Sequence, residues 1–128
     1  MILKSKPKHT DFRGFFQELV RTSESAHGID QISWLKINPG QRRGGHFHDY
    51  TIETFVVLEG VCRVTAYPMD IKDDELNLNE DFVLKEGESI VIKPGVWHSF
   101  YSQEGAVLLV AASKEFNPKE TDTFSYTE

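Results

Sequence analysis

The residues of this chain best suited to chemistry are four potential metal ligands: His46, His48, Glu53 and His98. His46 and His48 are two residues apart, so on an extended strand both imidazoles point to the same face. Three imidazoles and one carboxylate form a ligand set that suits zinc, iron, nickel or manganese. A pair of hydrogen-bonded structural histidines on a polar strand is the alternative. The four residues together, with glycines bracketing each group, favour a site for one divalent ion, and we expect zinc first.

Composition limits the classes of protein to which the chain could belong. Its 128 residues suit one domain, and its net charge of −6 argues against nucleic acid as a partner, since binding to phosphates needs a basic face. Cys62 stands alone, so no intrachain disulfide can form. No run of about 18 apolar residues and no signal-peptide pattern is present, so we expect a cytoplasmic protein that does not enter membranes.

The elements that must position the four residues read as strands almost throughout. Residues 54–58 and 61–67 are rich in β-branched and aromatic side chains, and we interpret them as a hairpin around a turn at Glu59-Gly60. Further strands are predicted at 32–37, 89–93 and 105–112, and turn signals recur at the spacing of a sandwich or barrel. Residues 69–81 are interpreted as an exposed acidic loop or hairpin tip. No helix of ordinary length is indicated, so an all-β fold is predicted.

Two longer patterns resemble the cupin superfamily. Gly40-x5-His46-x-His48-x4-Glu53-x6-Gly60 matches the first cupin motif, and Gly87, Gly95 and His98 match the second. Lys93 and Ser102 depart from the proline and asparagine that are usual in that second motif. The resemblance implies a double-stranded β-helix, or jelly-roll barrel, with one metal at its open end. It also implies a single domain: N-terminal strands in 1–28, the barrel in 29–113, and a tail in 114–128 packed on the body or on a partner subunit.

Segments near both ends of the chain indicate which group of cupins it resembles. The segment Asp11-Phe12-Arg13-Gly14-Phe15-Phe16-Gln17-Glu18 resembles the opening strand of nucleotide-sugar cupins, including dTDP-4-dehydrorhamnose 3,5-epimerases. The segment Glu115-Phe116-Asn117-Pro118-x3-Asp122-Thr123-Phe124 is similar to the end of the cupin domain in bifunctional capsular-polysaccharide UDP-sugar epimerase/reductases. The resemblance implies a homodimer that epimerises C3, next to a C4 ketone, of a nucleotide-linked 4-keto-6-deoxy sugar in capsule or O-antigen synthesis. A separate short-chain reductase would then act on the product.

Other functions remain open on the sequence alone. A 3,4-ketoisomerase would share the enolisation step, whereas a metallo-cupin oxygenase or isomerase would act on a different small molecule. A sugar-binding cupin without activity is a further alternative. No glycine-rich dinucleotide motif is present, which agrees with a reaction that needs no redox cofactor.

The acid, the base and the pyrophosphate ligands are the least determined parts of the predicted site. Tyr50 and Tyr101 are the titratable groups expected near the metal, as general acid or base. Arg13, Arg42 and Arg43 are the candidate substrate-binding residues, since a guanidinium offers a bidentate fork to a pyrophosphate. A surface ion pair of Arg13 with Asp11 or Glu18 is the alternative for the first of these.

Overall fold

The computed structural model describes residues 2–21, 28–69, 80–115 and 123–125, in which every regular element is a β-strand. The strands are β1 Ile2–Leu3, β2 Lys8–Asp11, β3 Gly14–Gln17, β4 Gln31–Ile37, β5 Gln41–His48, β6 Glu53–Gly60, β7 Cys62–Pro68, β8 Glu80–Leu84, β9 Ser89–Ile92, β10 Val96–Ser102, β11 Ala106–Ala112 and β12 Thr123–Ser125. The all-β prediction is confirmed. No helix within these residues has the length and apolarity needed to cross a bilayer.

Ten of the strands form two five-stranded antiparallel sheets. The first has the order β1-β9-β6-β11-β4 and the second the order β12-β5-β10-β7-β8, while β2 and β3 pair as a separate hairpin. From β4 to β12, strands that are consecutive in sequence lie in different sheets, except β7 and β8, which pair with each other in the second sheet. This alternation is the double-stranded β-helix that the cupin motifs implied, and the predicted fold class is confirmed.

The predicted hairpin of residues 54–67 is wrong. β6 pairs with β9 and β11 in the first sheet, whereas β7 pairs with β8 and β10 in the second. The chain turns a corner at Gly60, whose φ of +88° favours glycine, and a Cβ there would clash with the Gly105 carbonyl oxygen. Strand, glycine and strand are common to a hairpin and to a corner between sheets, so this sequence pattern could not separate the two.

The inner faces of the two sheets enclose one apolar core. Phe55, Val57 and Leu108 from the first sheet meet Val64 and Phe100 from the second, and each is at most 5% exposed. Side chains alternate between the faces of a strand, so residues at even spacing from these positions also point inward. The predicted metal ligands lie at one end of this core.

Two predicted segments fall partly outside the described residues. Residues 70–79 of the acidic segment lie outside the described residues. The strands that flank this segment, β7 and β8, pair antiparallel, as a hairpin requires. In the tail, residues 116–122 and 126–128 are also outside the description. Residues 123–125 form β12, which extends the second sheet along β5.

Candidate metal centre

Three strands bring the four predicted ligands to one end of the barrel. Glu53 opens β6 and shares the inward face with Phe55, while His98 shares the inward face of β10 with Phe100. The rings of Phe55 and Phe100 lie 5.8 and 5.9 Å from that of His98, so they form an apolar floor beneath it. We call His46, His48, Glu53 and His98 the histidine–glutamate cluster.

The cluster is compact. One potential ligand atom from each residue lies within 4.8 Å of the others. Nε2 of His48 and Nε2 of His98 lie 2.7 and 3.5 Å from Oε1 of Glu53. The ring centroid of His46 lies 5.0 Å from that of His48 and 4.7 Å from that of His98. The sequence patterns therefore predicted which residues meet, although residues of the cluster that lie on different strands are 5 to 52 positions apart in the sequence.

The directions of the buried atoms fit a cation at the centre of the cluster. His98 Nε2 and Glu53 Oε1 are inaccessible to solvent, and neither atom has a hydrogen-bond partner of ordinary geometry among the described residues. Burying such atoms unsatisfied is costly. Two imidazole nitrogens and a carboxylate oxygen that converge on one point are the donor set that a divalent ion needs. The residues present thus fit the predicted metal.

The outward nitrogens of two of the imidazoles have partners in the surrounding structure. His98 Nδ1 lies 3.0 Å from the Val96 carbonyl oxygen, which can only accept, so Nδ1 donates to it and Nε2 is the nitrogen that faces Glu53. His48 Nδ1 lies 3.1 Å from the Thr123 hydroxyl of β12. Sequence reasoning did not single out Thr123 for the site, because nothing in its spacing shows that β12 lies beside β5.

Electrostatics set the charge of the cluster at neutral pH. Burial, together with the neighbouring His98 and His48, lowers the pKa of His46 from 6.5 to about 4, so this imidazole is neutral. Burial alone would raise the pKa of Glu53, but the adjacent His48 and His98 imidazoles outweigh it and lower that pKa from 4.5 to about 2. An ionised carboxylate next to a neutral imidazole suits cation binding, since ligands must be deprotonated.

A glycine allows β5 to approach β10 at the cluster. The ladder between these strands shifts register between His98 and Ser99. Gly44 sits opposite this irregularity with φ +91°, and a Cβ there would lie 2.8 Å from the His98 carbonyl oxygen. Only a residue without a side chain fits this position, so Gly44 helps to set where His98 is held.

Tyr101 and Arg42 are not brought to the cluster, which differs from the expectation for both. His98 and Phe100 share the interior face of β10, so alternation puts Tyr101 on the exterior. Its hydroxyl bonds Gln103, and the Arg42 guanidinium lies 5.4 Å from its ring centroid and donates to Ser99 Oγ. Arg42 is four residues before His46, or about 13 Å along the strand. Tyr101 and Arg42 line a groove of about 1280 Å³ at the other end of the barrel.

The other predicted residues lie in three places. Tyr50 is 52% exposed in the bend between β5 and β6, the two strands that carry His48 and Glu53. Arg43 is exposed and pairs with Phe100 in the ladder between β5 and β10. Arg13 is in the exposed turn between β2 and β3, where it forms an ion pair with Asp11. The surface ion pair considered for Arg13 is thus present in the structure.

Two curated proteins are similar to this chain. The spore coat polysaccharide biosynthesis protein SpsL of Bacillus subtilis is 29% identical over 127 residues, which cover 94% of this chain and 83% of SpsL. A UDP-2-acetamido-2,6-β-L-arabino-hexul-4-ose reductase of Pseudomonas aeruginosa is 40% identical over 57 residues, which cover 44% of this chain and 14% of the reductase.

Solved structures resemble the fold over nearly its whole length. A 3,4-ketoisomerase from Helicobacter canadensis superposes with a TM-score of 0.76 at 21% identity, covering 97% of this chain and 88% of that one. The dTDP-6-deoxy-D-glucose-3,5-epimerase RmlC of Legionella pneumophila gives a TM-score of 0.78 at 20% identity, covering 97% and 70%.

A family model decides the relationship. The model of the polysaccharide biosynthesis C-terminal domain matches residues 9–124, which include every strand of the two five-stranded sheets except β1 and the last residue of β12. It spans the whole histidine–glutamate cluster. The resemblance to polysaccharide biosynthesis proteins that the sequence motifs indicated is confirmed, and the chain belongs to the polysaccharide biosynthesis C-terminal domain family.

Proposed function

We propose that this chain is a metal-dependent epimerase that acts at C3 of a nucleotide-linked 4-keto-6-deoxy hexose or hexosamine. The observation that carries the proposal is the buried convergence of three imidazoles and one carboxylate in a polysaccharide biosynthesis domain. The similar reductase supports the substrate class, since its name describes a UDP-linked 2-acetamido sugar with a carbonyl at C4.

His46, His48, Glu53 and His98 would hold the ion, with zinc favoured and iron, nickel or manganese as alternatives. When bound, it supplies Lewis-acid stabilisation of the negative charge that develops on the C4 oxygen, which is worth several kcal/mol. The Glu53 carboxylate offsets part of the ion's charge. Phe55 and Phe100 keep water from the inner side of the cluster, and low local polarity strengthens every charge interaction there.

Proton transfer at C3 needs an acid and a base close to the sugar. Tyr50 is our candidate, because its bend joins the strands that carry His48 and Glu53. Arg43 is the candidate for the pyrophosphate, since it is exposed on β5 three residues before His46. Tyr101 and Arg42 contact residues outside the cluster and Arg13 pairs with Asp11, so we give Tyr101 no role in proton transfer and neither arginine a role in binding the pyrophosphate.

A 3,4-ketoisomerase is the second candidate. The observation that favours it is the superposition on the Helicobacter canadensis 3,4-ketoisomerase, which covers 88% of that enzyme. Both reactions begin with removal of the C3 proton next to the C4 ketone. They differ in where the proton returns: to C3 in an epimerase and to the carbon of the former carbonyl in a ketoisomerase.

We also propose that the chain is a homodimer and that a separate short-chain reductase consumes its product. The β2–β3 hairpin supports the first point, because its Phe12, Phe15 and Phe16 are 97%, 64% and 71% exposed. Aromatic side chains exposed together in this way are typical of a contact surface. Light scattering tests the dimer, and Phe12→Ser with Phe16→Ser should convert it to a monomer.

The decisive experiment is proton NMR in D2O of UDP- and dTDP-linked 4-keto-6-deoxy sugars with the zinc-loaded protein. An epimerase incorporates deuterium at C3 and keeps the C4 ketone, whereas a carbonyl relocated to C3 identifies the ketoisomerase. His98→Ala should abolish exchange, and His9→Ala, an exposed histidine on β2, should leave it unchanged. No exchange with a fully metallated protein refutes both candidates.

A further inference from the structure

The strand β12, at the edge of the second sheet, lies beside β5 and contacts the histidine–glutamate cluster. Thr123 pairs with His48 in the antiparallel ladder, so the two side chains share a face. The Thr123 hydroxyl lies 3.1 Å from His48 Nδ1, and His48 is 9% exposed. The contact joins residues 75 positions apart, so it exists only when β12 is docked.

We propose that Thr123 is a positioning residue of the metal site: its hydroxyl holds the His48 ring through Nδ1 and aims Nε2 at the cluster. This rests on the proposed metal site. Imidazole ligands of metals usually donate their second nitrogen to a nearby acceptor, which fixes the ring orientation and the tautomer. Here that acceptor comes from a strand that contributes no ligand.

The partners of His48 and His98 differ in chemistry. The Val96 carbonyl only accepts, so His98 is fixed with its proton on Nδ1. A hydroxyl both accepts and donates, so Thr123 accepts from His48 Nδ1 when Nε2 binds a cation and donates to it when Nε2 carries the proton. Thr123 thus satisfies His48 in both states, and Nε2 of His48 is 2.7 Å from Glu53 Oε1, close enough to bond it in the metal-free state.

A second contact ties the position of β12 to that of β5. The Phe124 ring stacks on Phe47 with centroids 5.4 Å apart, next to the Thr123–His48 pair. Docking of β12 and orientation of His48 are therefore one event. Because coupling between two binding events is reciprocal, an ion that prefers the oriented His48 must also tighten β12.

The test measures zinc affinity with Zn²⁺ alone, by competition with a chromophoric chelator. Thr123→Val removes the hydroxyl and keeps the β-branched shape, while Thr123→Ser keeps the hydroxyl. Thr65→Val is the matched control, since this strand threonine bonds Asp81 away from the cluster. We expect Thr123→Val to weaken Zn²⁺ binding about 10- to 100-fold, which is the usual cost of losing a residue that hydrogen-bonds a metal ligand. Thr123→Ser and Thr65→Val should stay within about threefold of the wild type.

Hydrogen exchange supplies a readout that does not depend on activity. Zn²⁺ should increase protection of the β12 amides in the wild type and in Thr123→Ser, and less so in Thr123→Val. If Thr123→Val binds Zn²⁺ as tightly as the wild type, or β12 protection ignores Zn²⁺, the inference is overturned and the proposed function stands. A wild-type chain that binds no Zn²⁺ overturns the proposed metal site itself, and this inference with it.

Discussion

Replacing Glu53 by glutamine tests whether the cluster favours the ionised carboxylate even without metal. Glutamine has the shape of a protonated glutamate, so the substitution compares the charged with the neutral form. The pKa of Glu53 falls from 4.5 to about 2 in the fold. Because one pKa unit corresponds to about 1.4 kcal/mol, this fall corresponds to about 3 kcal/mol in favour of the ionised form. Glu53 has only 15% of its side chain exposed, so solvent screens little of this energy.

The effect has a defined pH dependence. A carboxyl whose pKa is lowered by folding stabilises the protein above its unfolded pKa and loses that contribution as pH falls. At pH 7 we therefore expect metal-free Glu53→Gln to be less stable to urea than metal-free wild type by about 3 kcal/mol. This difference in stability between the variant and the wild type should begin to decrease below pH 4.5 and vanish near pH 2.

Urea unfolding of EDTA-treated protein measures both quantities. Glu59→Gln is the matched control, because Glu59 is exposed on the same strand and its loss should change stability by less than about 0.5 kcal/mol. If Glu53→Gln proves as stable as the wild type at pH 7, the imidazoles do not stabilise the carboxylate, and our account of the cluster's charge is refuted.

Three further perturbations test the local physics. Gly44→Ala should destabilise the protein in urea at least twice as much as Gly95→Ala, since both glycines have positive φ but only Gly44 would place a Cβ against the His98 carbonyl; equal losses would contradict this. Ser89→Ala should leave stability unchanged or raise it by up to about 1 kcal/mol, because the buried Ser89 hydroxyl has no hydrogen-bond partner among the described residues. A clear loss on urea unfolding would reveal a partner. Stability of the metal-free protein should fall as pH drops from 6.5 towards 4, where unfolded but not folded His46 takes up a proton. His46→Gln should flatten that part of a thermal unfolding series, and an unchanged slope would show that another group is responsible.

The sequence patterns were enough to predict that these four side chains converge. A separation of two residues puts His46 and His48 on one face of any strand, and the cupin pattern groups them with Glu53 and His98. The same period of two explains why Tyr101 points away from the cluster. Three residues from His98 is an odd step, so its side chain leaves the interior face that His98 occupies. Whether a residue is an even or an odd number of positions from a ligand on the same strand therefore predicts its place in the site better than its distance in the sequence.

Features that depend on which strands meet could not be predicted. The segment around Gly60 looks like a hairpin locally, and only the partners of β6 and β7 show that it is a corner. Thr123 is an ordinary strand residue until β12 lies beside β5. In both cases the deciding contacts are long-range, and a single sequence records strand propensity and turn chemistry but not pairing.

The division of the cluster between the two sheets has a kinetic consequence. Its three histidines lie on β5 and β10 of one sheet, and Glu53 lies on β6 of the other. A cation that needs all four side chains can be captured only after the sheets have docked face to face. If docking follows the rate-limiting barrier of folding, Zn²⁺ slows unfolding and leaves the refolding rate unchanged; if docking precedes it, refolding accelerates. Stopped-flow refolding with and without Zn²⁺ thus shows whether the two sheets dock before or after the rate-limiting step of folding.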